Sequence, residues 1–491
     1  MTAVATHPRA TAATRVRDER EARNFRRFSV VFVIAGAIGL LFGDADVRAV
    51  LGPALVLAAT ALFYLTVQIR REGQLPIFEA ATLFVIATAI YSIMPLLQFA
   101  LGGMRCGPWS DNRLYQWNPT PQEFGGFAWR HVVLLATFVV VYLPIRGRRL
   151  WPQRRPNMPE RTTFWVIVLM MILISLWFAV VRIYAGPAGN PYMGGDGKLL
   201  RSMPLIVLQF VNVLQIVGQT LKQCLIILLL LRWDRRYSRI VLTSWMIGEV
   251  LFTLITFESR ASTMLLLLTV GVGYHHLVRP LRVKVAFVIG TVVLLGFLVF
   301  GIFRDVDSDT INQDPHAIWG AATEFQILFG TAYDLFMRRT AGTLPPVPWQ
   351  IYFSDFYRLI PSQLLPFYKW DPAEWYMHLL GLGGTGQGFM FGVVAQSAVG
   401  FGYPDLILRS FFLALMYAFA HRAYRRYSAS FWVTIGYLFM MTWAYYAFRS
   451  TSFDILYRLA YYFFPTWLLV KGVTILVTKV RSSGRRRAVP T

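Results

Sequence analysis

Between the apolar runs IVLTSWMIGEVLFTLIT and MLLLLTVGVGYHHLV lies the short stretch FESRAST, residues 257–263, which places Glu258 and Arg260 in a link of only a few residues. Arg182, Arg304, Arg409, Arg449 and Arg458 stand at comparable boundaries, each near the end of an apolar run. Guanidinium groups stay charged at any relevant pH and grip phosphate oxygens with two parallel hydrogen bonds. A group of them at the rim of an apolar slab suits an anionic ligand, and a lipid pyrophosphate matches that depth. The competing reading is snorkelling, in which each arginine extends on its own to the headgroups. Glu258, Asp305, Glu324 and Asp454 accompany the arginines. A carboxylate beside phosphate-binding arginines can take a proton from a sugar hydroxyl, or it can serve only as a plain ion pair. His378, just before the GGTGQG stretch, is the natural titrating group near neutral pH if it faces the site.

The elements that position these residues follow from composition. The 491-residue chain is 56% hydrophobic and 15% charged. Apolar stretches of roughly 17–25 residues recur from end to end, which predicts an all-α polytopic membrane protein. The expected spans are 28–43, 47–68, 76–101, 127–145, 162–185, 203–231, 240–257, 261–278, 285–303, 404–420, 431–448 and 455–478, about twelve in all. The net charge of +23 does not argue for nucleic acid, because most arginines fall in short links and tails. Those clusters sit at the start of the chain and after every second span, which makes that side cytoplasmic and puts both termini there.

The stretch GFMFGVVAQSAVGFG, 388–402, is apolar, short and glycine-rich. As a re-entrant or half-helix it keeps Arg422, Arg425 and Arg426 cytoplasmic; as a full span it reverses them. The organisation expected is a basic tail over 1–27, spans one to nine over 28–303, a large outer loop with interfacial helices over 304–387, the half-helix and spans ten to twelve over 388–478, and a second basic tail over 479–491. Within the loop Trp349, Tyr352, Trp370, Trp375 and Tyr376 can stack on sugars or form an interfacial belt. Glu249 in mid-span, with Asn212, Gln215 and Gln219, reads as polar glue between helices. Gly383, Gly384, Gly386 and Gly388 form either a phosphate nest or a hinge; no Gly-Lys-Ser/Thr follows, so this is not a P-loop. Cys106 and Cys224 imply neither a disulfide framework nor a metal cluster.

Three features together resemble the bacterial O-antigen or oligosaccharide repeat-unit polymerases, relatives of the O-antigen ligases. They are the arginine-bearing hairpin FESRAST; the loop segments AATEFQILFGTAYDLF and SDFYRLIPSQLLP; and GGTGQGFMFGVVAQSAVGFGYPD, a glycine stretch, a short helix and a second glycine turn. The resemblance covers about residues 240–420, and Gln396 stands where that family often has an acid. It implies a GT-C-like integral-membrane glycosyltransferase in the bacterial inner membrane, acting on undecaprenyl-pyrophosphate-linked glycans at the outer face. It implies no cofactor and no obligatory metal, with a flippase and a chain-length regulator as possible partners. On that reading Arg260, Arg304, Arg358, Arg409 and Arg449 bind the substrate pyrophosphate, and Glu258, Glu324 and His378 are the candidate catalytic groups.

The alternatives are an O-antigen ligase, with the same donor chemistry and a different acceptor, and a flippase-transporter for the same lipid-linked glycans. A transporter would favour pseudo-symmetric halves, and no internal repeat is evident. A polyprenyl-phosphate-sugar glycosyltransferase would carry an acidic pair in its first outer loop. Asp44 and Asp46 fit that pattern in type, but their loop is only a few residues long, and acidic groups at a helix start also complement the helix dipole.

Overall fold

The structure is a computed structural model. It describes residues 43–72, 78–102, 117, 119–146, 156–185, 205–256, 260–279, 281, 288–292, 323–360, 364–365, 369–382, 390–444 and 446–487, with isolated positions between 23 and 41 and at 285. Side chains within 178–185, 205–209, 252–256, 260–262, 323–326 and 481–487, and at a few single positions, lie outside the description.

Among the described residues all regular structure is helical. In chain order the helices are α1 (Ala45–Glu72), α2 (Ala80–Gly102), α3 (Pro121–Arg146), α4 (Arg161–Ala185), α5 (Leu205–Leu231), α6 (Arg236–Thr256), α7 (Arg260–Leu277), α8 (Thr323–Thr340), α9 (Trp349–Tyr352), α10 (Ser354–Tyr357), α11 (Pro372–Leu379), α12 (Gly392–Val399), α13 (Tyr403–Arg426), α14 (Phe431–Thr442), α15 (Tyr446–Arg449), α16 (Asp454–Arg458), a π-helical turn (Leu459–Phe463) and α17 (Phe464–Arg487). Among the described residues five stretches are long and apolar enough to cross a membrane: 45–71, 80–100, 121–146, 403–426 and 454–480. Shorter apolar helical stretches run over 161–177, 216–231, 263–277 and 431–442. The chain is thus an all-α membrane protein.

The described residues fall into two compact units, one within 1–152, 283–345 and 393–419, the other within 153–282, 346–392 and 420–491. In the first, α1 packs on α3 and α2, and α2 also packs on α8. The α1–α3 approach depends on Gly125, where a Cβ would come 2.0 Å from the carbonyl oxygen of Ala49. Helix α3 begins at Pro121, six residues ahead of the expected span over 127–145. Its start is a capping box: Thr120 N and Oγ1 donate to Glu123 Oε2 at 2.9 and 3.0 Å, while Glu123 N donates to Thr120 Oγ1 at 3.2 Å. Proline at the first helical position adds to it.

The other end of α3 carries a buried ion pair. Arg146 Nε and Nη2 donate to Glu79 Oε1 and Oε2 at 2.8 and 3.0 Å, and the Tyr142 hydroxyl donates to the same carboxylate. Glu79 and Arg146 are only 3% and 5% exposed, so neither charge has water to fall back on. Toward the opposite end of α3, His131 stacks on Phe329 of α8 at 4.9 Å and shares a 2.9 Å hydrogen bond between its Nδ1 and Ser92 Oγ.

In the second unit α5 is central, packing on α4, α6, α7, α14 and the π-helical turn. Lys222 of α5 pairs with Glu249 of α6, so the mid-span carboxylate expected as glue has a cationic partner. The side chains of Asn212 and Gln215 lie outside the description. Gly273 lets α7 meet α5, its missing Cβ lying 2.6 Å from Leu230 Cδ1. The expected unbroken span over 431–448 is interrupted: α14 stops at Thr442, and the chain proceeds through α15 and a turn into α16. The π-helical turn that follows frees backbone groups, and the Tyr462 carbonyl is taken by the hydroxyls of Thr220 (3.2 Å) and Thr466 (2.7 Å).

Arg146→Met is expected to lower stability by about 3–5 kcal/mol, because it strands the Glu79 carboxylate in the interior. Adding Glu79→Gln should restore much of the loss. Thermal midpoints of the single and double variants in detergent check this, and a double variant no better than Arg146→Met would refute the argument.

Candidate functional site

The break between α14 and α17 gathers a cluster of charged side chains within the second unit. Asp454, the first residue of α16, has a fully buried side chain, and its carboxylate engages two guanidiniums. Arg458, one helical turn on, donates from Nε to Asp454 Oδ2 at 2.5 Å. Arg358, which follows α10, reaches Oδ1 from Nη1 at 3.6 Å. Ser450 Oγ donates to the same Oδ1 at 3.1 Å. The other nitrogen of the Arg358 fork, Nη2, lies 3.2 Å from Asp371 Oδ2, whose side chain is 40% exposed.

Aromatic faces enclose the cations. Arg458 lies over Trp443 at 3.8 Å and over Tyr446 at 4.1 Å. Arg358 lies over Tyr457 at 4.9 Å, and Arg449 over Tyr446 at 5.5 Å. A guanidinium on an aromatic face keeps its edge nitrogens free for hydrogen bonds, which a plain point charge cannot do.

Short helices hold the loop side of the cluster. Asp371 caps α11, accepting from Ala373 N at 2.9 Å, with Pro372 at the first helical position. Buried Asp355 of α10 accepts from Phe453 N at 2.9 Å and so caps α16 from outside that helix. The Tyr357 hydroxyl donates to the Trp370 carbonyl, and Tyr461 Oη donates to the Leu359 carbonyl at 3.2 Å. Lys369 Nζ donates to the carbonyls of Arg358 and Ile360, both at 2.8 Å. Partial burial, and then the Arg358 guanidinium, hold the Lys369 ammonium below the usual lysine range. The Arg449–Ser450 turn is stitched to the end of the glycine stretch, with Phe391 N donating to Arg449 O at 3.3 Å.

Of the pyrophosphate-binding candidates, Arg358 and Arg449 come to this cluster. Arg409 belongs to the first unit, where its Nε pairs with Asp405 Oδ1 at 2.8 Å. Arg260 opens α7, but its side chain lies outside the description, and so does all of Arg304. Among the catalytic candidates, Glu258 lies outside the described residues, and Glu324 is in the first turn of α8 with its side chain outside them. His378 is exposed on α11, its ring edge-on to Trp370 at 5.3 Å. Sequence reasoning did not single out Asp371, Lys369, Tyr446, Tyr457 or Trp443. The Asp-Pro pair that caps α11 is a readable local signal, whereas the others reach the cluster only through long-range packing.

The second glycine turn has a structural account of its own in the first unit. A Cβ at Gly400 would sit 2.5 Å from Asp405 Oδ2 and 2.9 Å from the Gln396 carbonyl, and Gly402 has φ 71°. Arg339 caps the end of α12 by donating to the Ala398 carbonyl at 2.9 Å and to that of Gly400. Gln396 is buried within that helix. Among the described residues no group of three or more His, Cys, Asp or Glu side chains is placed to hold a metal ion.

No known family's sequence profile matches this chain, and neither the curated proteins nor the solved structures contain a significant match to it.

Asp454→Asn is expected to cost about 3–5 kcal/mol of stability, since it leaves two guanidiniums sharing a neutral group. Asp371→Asn, at a partly exposed bridge, should cost about 1 kcal/mol or less. Paired thermal unfolding of the two variants tests the assignment; equal losses, or the reverse order, would contradict it.

Proposed function

We propose that the chain is an integral-membrane glycosyltransferase. It would polymerise undecaprenyl-pyrophosphate-linked oligosaccharide repeat units at the outer face of the bacterial plasma membrane. The observation that carries the reading is the gathering of Arg358, Arg449, Arg458 and Lys369 in one part of the second unit, where Asp371 and Asp454 are the carboxylates paired with the arginines. Aromatic faces lie against the guanidiniums of Arg358 and Arg458 and orient their edges, toward which an anion could bind. The resemblance of FESRAST, of the loop segments and of the glycine stretch to the repeat-unit polymerases supplies the choice of anion.

In this mechanism a hydroxyl of the acceptor sugar attacks the anomeric carbon of the donor chain. The bond from that carbon to the pyrophosphate oxygen breaks, and undecaprenyl pyrophosphate leaves with the bonding electron pair. Negative charge grows on the departing oxygen, and Arg358 and Arg449 stabilise it as it grows. The proton of the acceptor hydroxyl passes to a base, for which Glu258, Glu324 and His378 remain the candidates. Arg260, Arg304 and Arg409 remain pyrophosphate-binding candidates on the resemblance alone. A flippase that delivers repeat units and a regulator of chain length are the partners this activity would need. An O-antigen ligase would use the same donor half-reaction.

The test is deletion of the gene in its host, with complementation by wild type, Arg358→Ala and Arg449→Ala, reading surface and lipid-linked glycans by gel and mass spectrometry. Deletion should collapse long chains to single repeat units. Variants that reach the membrane but lack one of these arginines should lose roughly 100-fold or more in chain synthesis. Long chains that accumulate on the lipid carrier without reaching an acceptor would identify a ligase. Unchanged glycans in the deletion strain would remove the glycan reading altogether.

A further inference from the structure

Beside Trp443, within the second unit, lies a partly open cavity of about 50 Å³ of water-accessible space, lined by Gln219, Lys222, Gln223, Thr269 and Trp443 together with aliphatic side chains of α5 and α7. Two of its lining groups are buried polar atoms with no protein partner: Trp443 Nε1, a donor, and Gln223 Oε1, an acceptor. Trp443 is 3% exposed and Gln223 is 7% exposed, so neither atom reaches bulk solvent by itself. Lys222, paired with Glu249, stands at the same wall. Thr269 turns its hydroxyl to the Leu265 carbonyl at 2.6 Å and lies 3.4 Å from Thr442 Oγ1.

The chemistry of the lining selects the occupant. A ligand touching both orphaned atoms must accept from an indole N–H and donate to an amide oxygen, and water does both. An acyl chain does neither, an anion cannot satisfy the glutamine oxygen, and a bare cation cannot satisfy the indole. The space holds a few water molecules, at roughly 10–15 Å³ each by this measure, and is too small for a sugar ring. The ring face of Trp443 carries Arg458 at 3.8 Å.

We propose that this cavity is an internal hydration site whose water is held between Gln223 and Trp443, and that Trp443 is thereby a positioning residue for Arg458. The water holds the indole by its in-plane N–H at the ring edge, and the ring face holds the guanidinium. The second half of this inference rests on the anion-binding reading of the cluster; the first half does not.

The hydration site is tested by thiol accessibility in the full chain, in a Cys106→Ser/Cys224→Ala background. Gln223→Cys and Thr269→Cys are exposed to a small methanethiosulfonate reagent, which reacts with thiolate in water. The controls are Leu221→Cys and Ile227→Cys, buried positions on the same helix that do not line the cavity. The cavity positions should react at least about tenfold faster than the controls. Rates equal to the controls would show a dry cavity and overturn the proposal.

The positioning role is tested by titrating inorganic pyrophosphate into wild type, Trp443→Phe, Gln223→Leu and Gln223→Asn. The phenylalanine and leucine variants should bind several-fold more weakly, and the asparagine variant, which keeps an acceptor, should recover part of the loss. Wild-type affinity in Trp443→Phe and Gln223→Leu would overturn the positioning role. Absence of pyrophosphate binding by wild type would instead remove the anion reading, leaving the labelling rates to decide the hydration site alone.

Discussion

One carboxylate bears the electrostatic balance of the second unit. Asp454 has no exposed side-chain surface, yet two guanidiniums and a serine hydroxyl converge on it. A charge in such a place persists only when it is paired and its remaining lone pairs are filled. Its position as the first residue of a helix favours it further, because the helix start is the positive end of the backbone dipole. The expected span 431–448 is interrupted ahead of this helix start, at Thr442. The interruption itself has to be satisfied, since unpaired backbone groups at membrane depth are costly. The Arg449 carbonyl takes the amide of Phe391, the Phe453 amide is taken by Asp355, and the Tyr462 carbonyl is taken by two threonines. Segments remote in sequence are thus drawn to one place by the need to close these groups.

What the sequence made legible follows the range of each interaction. Hydropathy gave the long helices because twenty apolar residues are a local property. The i,i+4 pairs Asp454–Arg458 and Asp405–Arg409 are also visible as spacing, and so is the Thr120–Glu123 capping box that starts α3 ahead of its apolar run. The stop of α14 at Thr442 has no such signal, because the residues on either side of it are uniformly apolar and aromatic. The bridge from Arg358 to Asp454 spans almost a hundred residues of chain, and no periodicity announces it. The glycines of the second turn were legible as glycines but not as structure: Gly400 is needed for close approach and Gly402 for its positive φ. Part of the motif that resembles the polymerases thus describes how a turn folds rather than what a site does, and the weight of that resemblance falls on the arginines and the loop.

Snorkelling, the simplest account of arginines near helix ends, predicts side chains that extend toward headgroups and water. Arg358 and Arg458 do the opposite. Their side chains are 15% and 13% exposed, and both turn inward to Asp454. Arg409 is likewise 10% exposed and held by Asp405. Arg358 and Arg458 are structural commitments, ordered before any ligand arrives, which reduces what an anion must organise when it binds. Pairing does not cancel the field: Lys369 is held by two carbonyl oxygens, and the neighbouring guanidinium of Arg358 works against its ammonium. Arg449 adds a further charge over Tyr446. Each guanidinium in a poorly solvated place raises the cost of the others. Cations held close together, with aromatic faces steering guanidinium edges, are the arrangement an anion would repay.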